Sequence, residues 1–307
     1  MTGENRIDCL IEAIEEKGNP TVLGLDTRVE HLPNSIRNGF SEAGTGDGYR
    51  EKAAKAIISF NRGLIDALAD LVPCVKVQAA YYEMLGVPGM EAFRDTLLYA
   101  RQKGMTVIAD VKRNDIGATA EAYAAAYLGE DAPFPADFVT LNAYLGLDGI
   151  SPFLDACRKN GTGIFVLVRT SNPSAGEFQD LAVPDGQKGT RPLYEQVGFK
   201  VAQWGEDFVG HQGYSSVGAV VGATWPEEGK KLRALLPRTF FLVPGYGAQG
   251  ATARKLAGWF DLRGRGVAVN ASRSLLCAHR KRNTDDFAAA ARDEALRMRE
   301  DLRTAVK

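Results

Sequence analysis

Histidine is scarce in this chain. His31, His211 and His279 are the only three in 307 residues, and all sit in polar, loop-like or helix-end surroundings. They form no ligand cluster, so a histidine-built metal site is not expected. Cysteine is equally thin: Cys9, Cys74, Cys157 and Cys277 are far apart and include no Cys-x-x-Cys. Reduced thiols are the reading, with Cys74 in a strand-like run and Cys157 in a helix-like one acting as small hydrophobes. No block of like charge is longer than a few residues, and 37 basic against 38 acidic residues leave a net charge of −1. Nucleic acid and anionic membranes therefore find no basic face. No apolar run approaches membrane-spanning length. The opening Met-Thr-Gly-Glu-Asn-Arg lacks the apolar core of a signal peptide, so a cytoplasmic location is expected.

Short apolar runs, by contrast, recur regularly. They are Thr21–Asp26, Cys74–Gln78, Met105–Val111, Asp137–Asn142, Gly163–Arg169, Val217–Gly222, Phe240–Pro244 and Gly266–Asn270. Most are too apolar to alternate, as parallel strands covered on both faces are. Helical patterns separate them: Tyr49–Leu71, Gly89–Lys103, Ala118–Tyr127, Ile150–Lys159, Pro192–Trp204, Trp225–Leu236 and Ala251–Trp259, with a closing helix over Arg280–Lys307. Eight strands alternating with helices predict an α/β fold, a (β/α)8 TIM barrel occupying residues 1–307 as one domain. A doubly wound sheet is the alternative, but the first run ends Gly24-Leu25-Asp26-Thr27-Arg28, without the Gly-x-Gly-x-x-Gly often found there. Two connections are long: Thr27 to about Gly48, containing Gly39, Gly44 and Gly46, and Thr170 to Arg191. Both follow strands (the first and fifth), so both emerge where barrel enzymes build their sites.

Chemistry gathers at the same strand ends. In Asp110-Val111-Lys112-Arg113-Asn114-Asp115-Ile116-Gly117-Ala118-Thr119, Asp110 and Lys112 share one face of the third strand. Asp115 lies beyond it on a turn. Asp26 ends strand one and Lys76 lies on strand two. Any one of these could be a surface charge or a strand cap. An array of alternating sign at the ends of three successive strands suggests a built site, because unpaired buried charge is costly. After strand seven comes Pro244-Gly245-Tyr246-Gly247-Ala248-Gln249-Gly250, and after strand eight Asn270-Ala271-Ser272-Arg273-Ser274. They read as simple turns or as the phosphate site that such barrels place there, using glycine for close backbone approach and Arg273 as a charged fork.

On Asp110-x-Lys112-x-x-Asp115-Ile116-x-x-Thr119, with Leu25-Asp26, Val75-Lys76-Val77, Ser171-Asn172-Pro173, Pro244-Gly245-x-Gly247-Ala248-Gln249-Gly250 and Ser272-Arg273 in order, the chain resembles the orotidine 5′-phosphate decarboxylase family. The resemblance spans roughly Thr21 to Leu276, and Arg169-Thr170-Ser171-Asn172-Pro173 looks like the longer bacterial branch. It implies cofactor-free decarboxylation of orotidine 5′-phosphate to UMP in pyrimidine biosynthesis. Lys76, Asp110, Lys112 and Asp115 would form the catalytic array, with Asp115 and Thr119 serving the neighbouring subunit of a homodimer. Asp26 would bind ribose hydroxyls, Ser171 the pyrimidine, and Gln249 and Arg273 the phosphate, with Ile116, Pro244 and Gly250 completing the substrate contacts. The loop from Ser171 would close over the nucleotide. Residues 115 and 119 would share a helical face if the turn between them is helical. Gln78, Ala79, Ala143 and Tyr144 depart from the family pattern and leave the groups supporting the array undefined. Two other readings stay open. A Mg²⁺-dependent phosphosugar decarboxylase or synthase shares the third-strand motif but needs an acidic pair, where strand two ends in Lys76. A non-catalytic phosphometabolite-binding barrel explains the glycine loops and Arg273 but not the clustered charges.

Overall fold

Each of the eight expected apolar runs forms a strand, and the strands close into a parallel barrel with helices between them. The structure, a computed structural model, describes residues 5–37, 44–247 and 252–306. The barrel strands are β1 (Thr21–Leu25), β2 (Cys74–Gln78), β3 (Thr106–Arg113), β4 (Phe138–Leu141) and β5 (Gly163–Arg169). A small hairpin of β6 (Ala182–Pro184) and β7 (Thr190–Pro192) follows, before the barrel resumes with β8 (Ser215–Val221), β9 (Thr239–Pro244) and β10 (Val267–Ala271). Around the barrel the order is β1-β10-β9-β8-β5-β4-β3-β2, which sets β3 opposite β9.

Alternation along the strands sorts the core into two layers. Leu23, Val75, Val77, Val107, Ala109, Val139, Val166 and Val269 pack outward against the helices. Val22, Cys74, Ile108, Phe138, Phe165, Leu242 and Ala268 form a separate cluster inside. Two residues further along the same inner face come Gly24, Lys76, Asp110, Thr140, Leu167, Pro244 and Asn270. The interior is thus apolar at its base and becomes polar toward the C-terminal ends of β2, β3 and β4. Inner residues of β5, β8 and β9 (Leu167, Val220, Pro244) keep the other half of that upper layer apolar.

Three elements differ from expectation. The helix Arg6–Lys17 precedes β1; Asn5 caps it by accepting from the Ile7 amide at 3.2 Å, and Gly18 ends it at φ +55°. Its Ile7, Leu10, Ile11 and Ile14 join the inner cluster, plugging the N-terminal mouth. The long segment after β5 is structured: Asp185 accepts from the Gln187 and Gly189 amides (2.7 and 2.9 Å) and folds the β6–β7 hairpin. The expected closing helix is two, Ala278–Arg282 and Phe287–Val306, broken at Asn283 with φ +49°. Among the described residues no helix is long and apolar enough to cross a membrane.

Candidate active site

One carboxylate organises the polar end of the barrel. The Oδ2 of Asp110 accepts from Lys76 Nζ at 2.6 Å and Gln78 Nε2 at 3.0 Å. Its Oδ1 accepts from Lys112 Nζ at 2.6 Å and Thr140 Oγ1 at 2.8 Å. Lys76 reaches on to Asp26 at 3.4 Å. The result is a chain of alternating charge, Asp26, Lys76, Asp110, Lys112, built from neighbouring strands. Lys76 and Asp110 are each 4% exposed, so neither is a solvated strand end. Burial alone would push the Asp110 carboxyl up and the Lys76 ammonium down. The opposite charges outweigh it, holding Asp110 well below the usual carboxylate range and Lys76 above the usual amine range. The Lys112 side chain is 44% exposed, leaving its tip accessible from the cavity above.

Beside Asp26 lies a buried neutral network. Thr27 Oγ1 donates to Asn61 Oδ1 (2.7 Å), and Asn61 Nδ2 donates to Tyr82 Oη (2.8 Å) and Thr96 Oγ1 (3.1 Å). It ties the residue after Asp26 to three helices, Asp47–Leu68, Ala80–Glu83 and Gly86–Gln102. Glycines shape two other parts of the wall. Gly245 has φ +101° and Gly247 φ +74°, conformations open to glycine at little cost. Gly24 on β1 is required by space: a Cβ there would lie 2.1 Å from Ser272 Oγ. At the end of β5, Arg169 stacks over Trp225 with its guanidinium carbon 4.0 Å from the ring centre and pairs with Asp180 at 2.7 Å. Trp225 in turn donates to the Thr170 carbonyl at 2.8 Å. These bonds anchor the root of the segment that presents Ser171.

The cavity so enclosed measures about 960 Å³ and takes in Asp26, Lys76, Asp110, Lys112, Ser171, Pro244 and Arg273. Asp115, Ile116 and Thr119 do not line it. The helix there begins only at Gly117, after extended backbone at Ile116, so the condition for Asp115 and Thr119 to share a helical face is not met. Gln249 and Gly250 lie outside the described residues, as does Gly39. Groups that sequence reading misses are Thr140, Arg28, His31, Tyr81 and Arg280; Gln78 it records only as a departure. Thr140 had a signal, since it is a polar residue on the inner face of β4, level with Lys76 and Asp110. The rest come from loops or short helices, where no strand periodicity points inward.

A closed (β/α)8 barrel with charged side chains at the C-terminal ends of several strands is the architecture of a barrel enzyme acting at that face. The chain belongs to the orotidine 5′-phosphate decarboxylase / HUMPS family, whose model matches residues 60–281. A relative from Clostridium perfringens (strain SM101 / Type A), named orotidine 5′-phosphate decarboxylase, is 43% identical over 300 residues, covering 97% of this chain and 98% of its own. A crystal structure from Streptomyces avermitilis superimposes with a TM-score of 0.81 at 31% identity, covering 100% of this chain and 97% of that one. The Leishmania donovani OMP decarboxylase structure has a TM-score of 0.74 at 28% identity, covering 99% and 100%.

Proposed function

We propose that the chain converts orotidine 5′-phosphate to UMP and CO₂ without a cofactor, in pyrimidine biosynthesis. The observation that carries this reading is the Asp26–Lys76–Asp110–Lys112 array on the cavity floor, with Arg273 and the turn after β9 in the same cavity. Breaking the bond from C6 to the carboxylate leaves an electron pair at C6, and the site must stabilise it and then protonate it. Lys112 is placed to do both, as an ammonium that first faces the growing negative charge and then donates its proton to C6. Asp110 stands beside the departing carboxylate. Two like charges about 4 Å apart at an effective dielectric of about 20 repel by roughly 4 kcal/mol, some three powers of ten in rate, while enzymes supply up to about 10¹⁷. Repulsion is therefore a minor contribution. Preorganised charge around C6, with phosphate binding that helps close the loop after β5, supplies most of the acceleration.

In this reading Asp26 takes ribose hydroxyls, Ser171 the pyrimidine, and Pro244, Gln249, Gly250 and Arg273 the phosphate end. Asp115 and Thr119 serve a second subunit. An apolar rim supports that pairing: Ile116, Tyr144, Leu145 and Leu147 are 52%, 82%, 44% and 49% exposed on the loops after β3 and β4, and a patch of that kind is suited to burial against another chain. A cytoplasmic homodimer is the form we infer, and the four cysteines, none of them in a disulfide among the described residues, suit a reducing compartment.

Arg273→Ala should lower affinity for UMP by about tenfold to a hundredfold, the worth of one or two hydrogen bonds to a charged group, and leave affinity for uridine unchanged. Equal loss for both ligands would remove Arg273 from the phosphate. The magnesium-dependent alternative is not favoured, because both oxygens of Asp110 already accept from ammonium groups and Lys76 stands where a second carboxylate would be needed. The reading is tested by following the ultraviolet absorbance of orotidine 5′-phosphate with and without EDTA. Equal conversion to UMP in both arms is expected. Conversion abolished by the chelator would support the metal enzyme, and none in either arm a binding protein.

A further inference from the structure

β3 does not run regularly into the site. Ala109 pairs with Val139 and Arg113 with Leu141, so four steps along β3 face two along β4. The strand bulges where Asp110 and Lys112 are presented. Within the bulge Lys112 has φ +45°, a left-handed conformation that a non-glycine residue keeps only where its surroundings impose it. The ladder cannot serve the amides of such a bulge, and one side chain does so instead. Thr140 Oγ1 accepts from the Val111 and Lys112 amides, both at 3.0 Å, and donates to Asp110 Oδ1 at 2.8 Å. A hydroxyl has one donor and two acceptor sites, and here all are used, in a residue only 1% exposed.

We infer that Thr140 is a positioning residue for the decarboxylation: its hydroxyl locks the β3 bulge to the Asp110 carboxylate and so fixes where Lys112 Nζ stands. The inference rests on the reading of Lys112 as the proton donor to C6. Lys112 is tethered at both ends by this one oxygen, through its own amide and through the carboxylate its ammonium pairs with. An isosteric apolar residue would leave two amides without an acceptor and Asp110 without one donor. The bulge would relax and the ammonium would shift. Arg273 and the turn after β9 would stay in place, because β9 lies across the barrel.

The test compares wild type, Thr140→Val and Thr140→Ser with orotidine 5′-phosphate as substrate, UMP as binding probe, and thermal melting as a check of folding. Thr140→Val should lose about 10²-fold in kcat, the scale of a misplacement of order 1 Å, with KM and UMP affinity little changed. Thr140→Ser, which keeps the hydroxyl, should return most of that rate. Thr140→Val with undiminished kcat overturns the inference, as do Val and Ser variants equally impaired. A Thr140→Val chain that has lost its cooperative melt also overturns it, since the hydroxyl would then hold the barrel and not one bulge. An inert wild type that still binds UMP overturns the decarboxylase reading itself, a result distinct from the others because no variant is needed to see it.

Discussion

Lys112→Ala is expected to lower kcat for orotidine 5′-phosphate by at least about 10⁴-fold, combining the loss of a proton donor with the loss of a fixed charge at the carbanion. The protein should remain folded. Asp110 keeps three of its four donors in this variant, Lys76, Gln78 and Thr140, and so is not left unpaired. Lys112 is partly exposed, and alanine pays the same penalty as lysine for the left-handed backbone there. Melting temperature should therefore move little, and UMP, whose phosphate, ribose and pyrimidine are held by other residues in this account, should still bind. Single-turnover kinetics beside calorimetric binding of UMP checks both halves. Near-wild-type turnover would rule Lys112 out as the donor, and loss of UMP binding would assign it a binding role instead.

Asp110→Asn should damage both stability and rate. Each carboxylate oxygen accepts from two donors. A carboxamide presents one oxygen and one NH₂, so whichever way it turns, a donor faces two donors. Lys76, almost wholly buried, loses its charged partner at 2.6 Å and retains only the carboxylate of Asp26 at 3.4 Å. Removing one member of a buried pair costs about 3 to 5 kcal/mol; the remaining contact with Asp26 places the expectation near about 3 kcal/mol, read from denaturant unfolding. kcat should fall by at least about 10³-fold, because Lys112 no longer has a fixed partner.

The pH dependence follows from the direction of the shift. A carboxylate held below its unfolded pKa contributes stability that is fully present above that value and is lost as pH falls through the lower folded one. The penalty of Asp110→Asn should thus be flat from roughly pH 5 to 8 and shrink only below about pH 4. A penalty that grows on acidification would mean that Asp110 is protonated in the folded protein, and the alternating array would be wrong.

Particular elements show why some of this is legible in the sequence. Parallel strands covered on both faces must be continuous apolar runs, so Cys74–Gln78 or Gly163–Arg169 announce themselves, and their number sets the barrel. The helix Arg6–Lys17 is no such run: Ile7, Leu10, Ile11 and Ile14 recur at helical spacing between Asn5 and Gly18. Its signal is local, but its role as a plug depends on the closed barrel. The hairpin after β5 was likewise marked by Pro184-Asp185-Gly186, a turn signature inside a segment read as loop.

Within the site, the charged residues could be named because a strand has few reasons to carry Lys76 and Asp110 on a core face. The polar residues that hold them were harder to see. Gln78 and Thr140 are ordinary in a sequence, and only the convergence of β2, β3 and β4 brings both to one carboxylate. The bulge at Lys112 had no sequence sign, since no glycine marks the left-handed position. Arg28, His31, Tyr81 and Arg280 reach the cavity from connections whose paths local sequence does not determine.

The most direct measurement is to run the conversion in D₂O and read the product by mass and NMR. Lys112 exchanges its ammonium protons with solvent, so UMP should carry one deuterium at C6 and none at C5, formed in a one-to-one ratio with CO₂. Substrate left intact, or UMP formed without deuterium at C6, would contradict a carbanion protonated by this site.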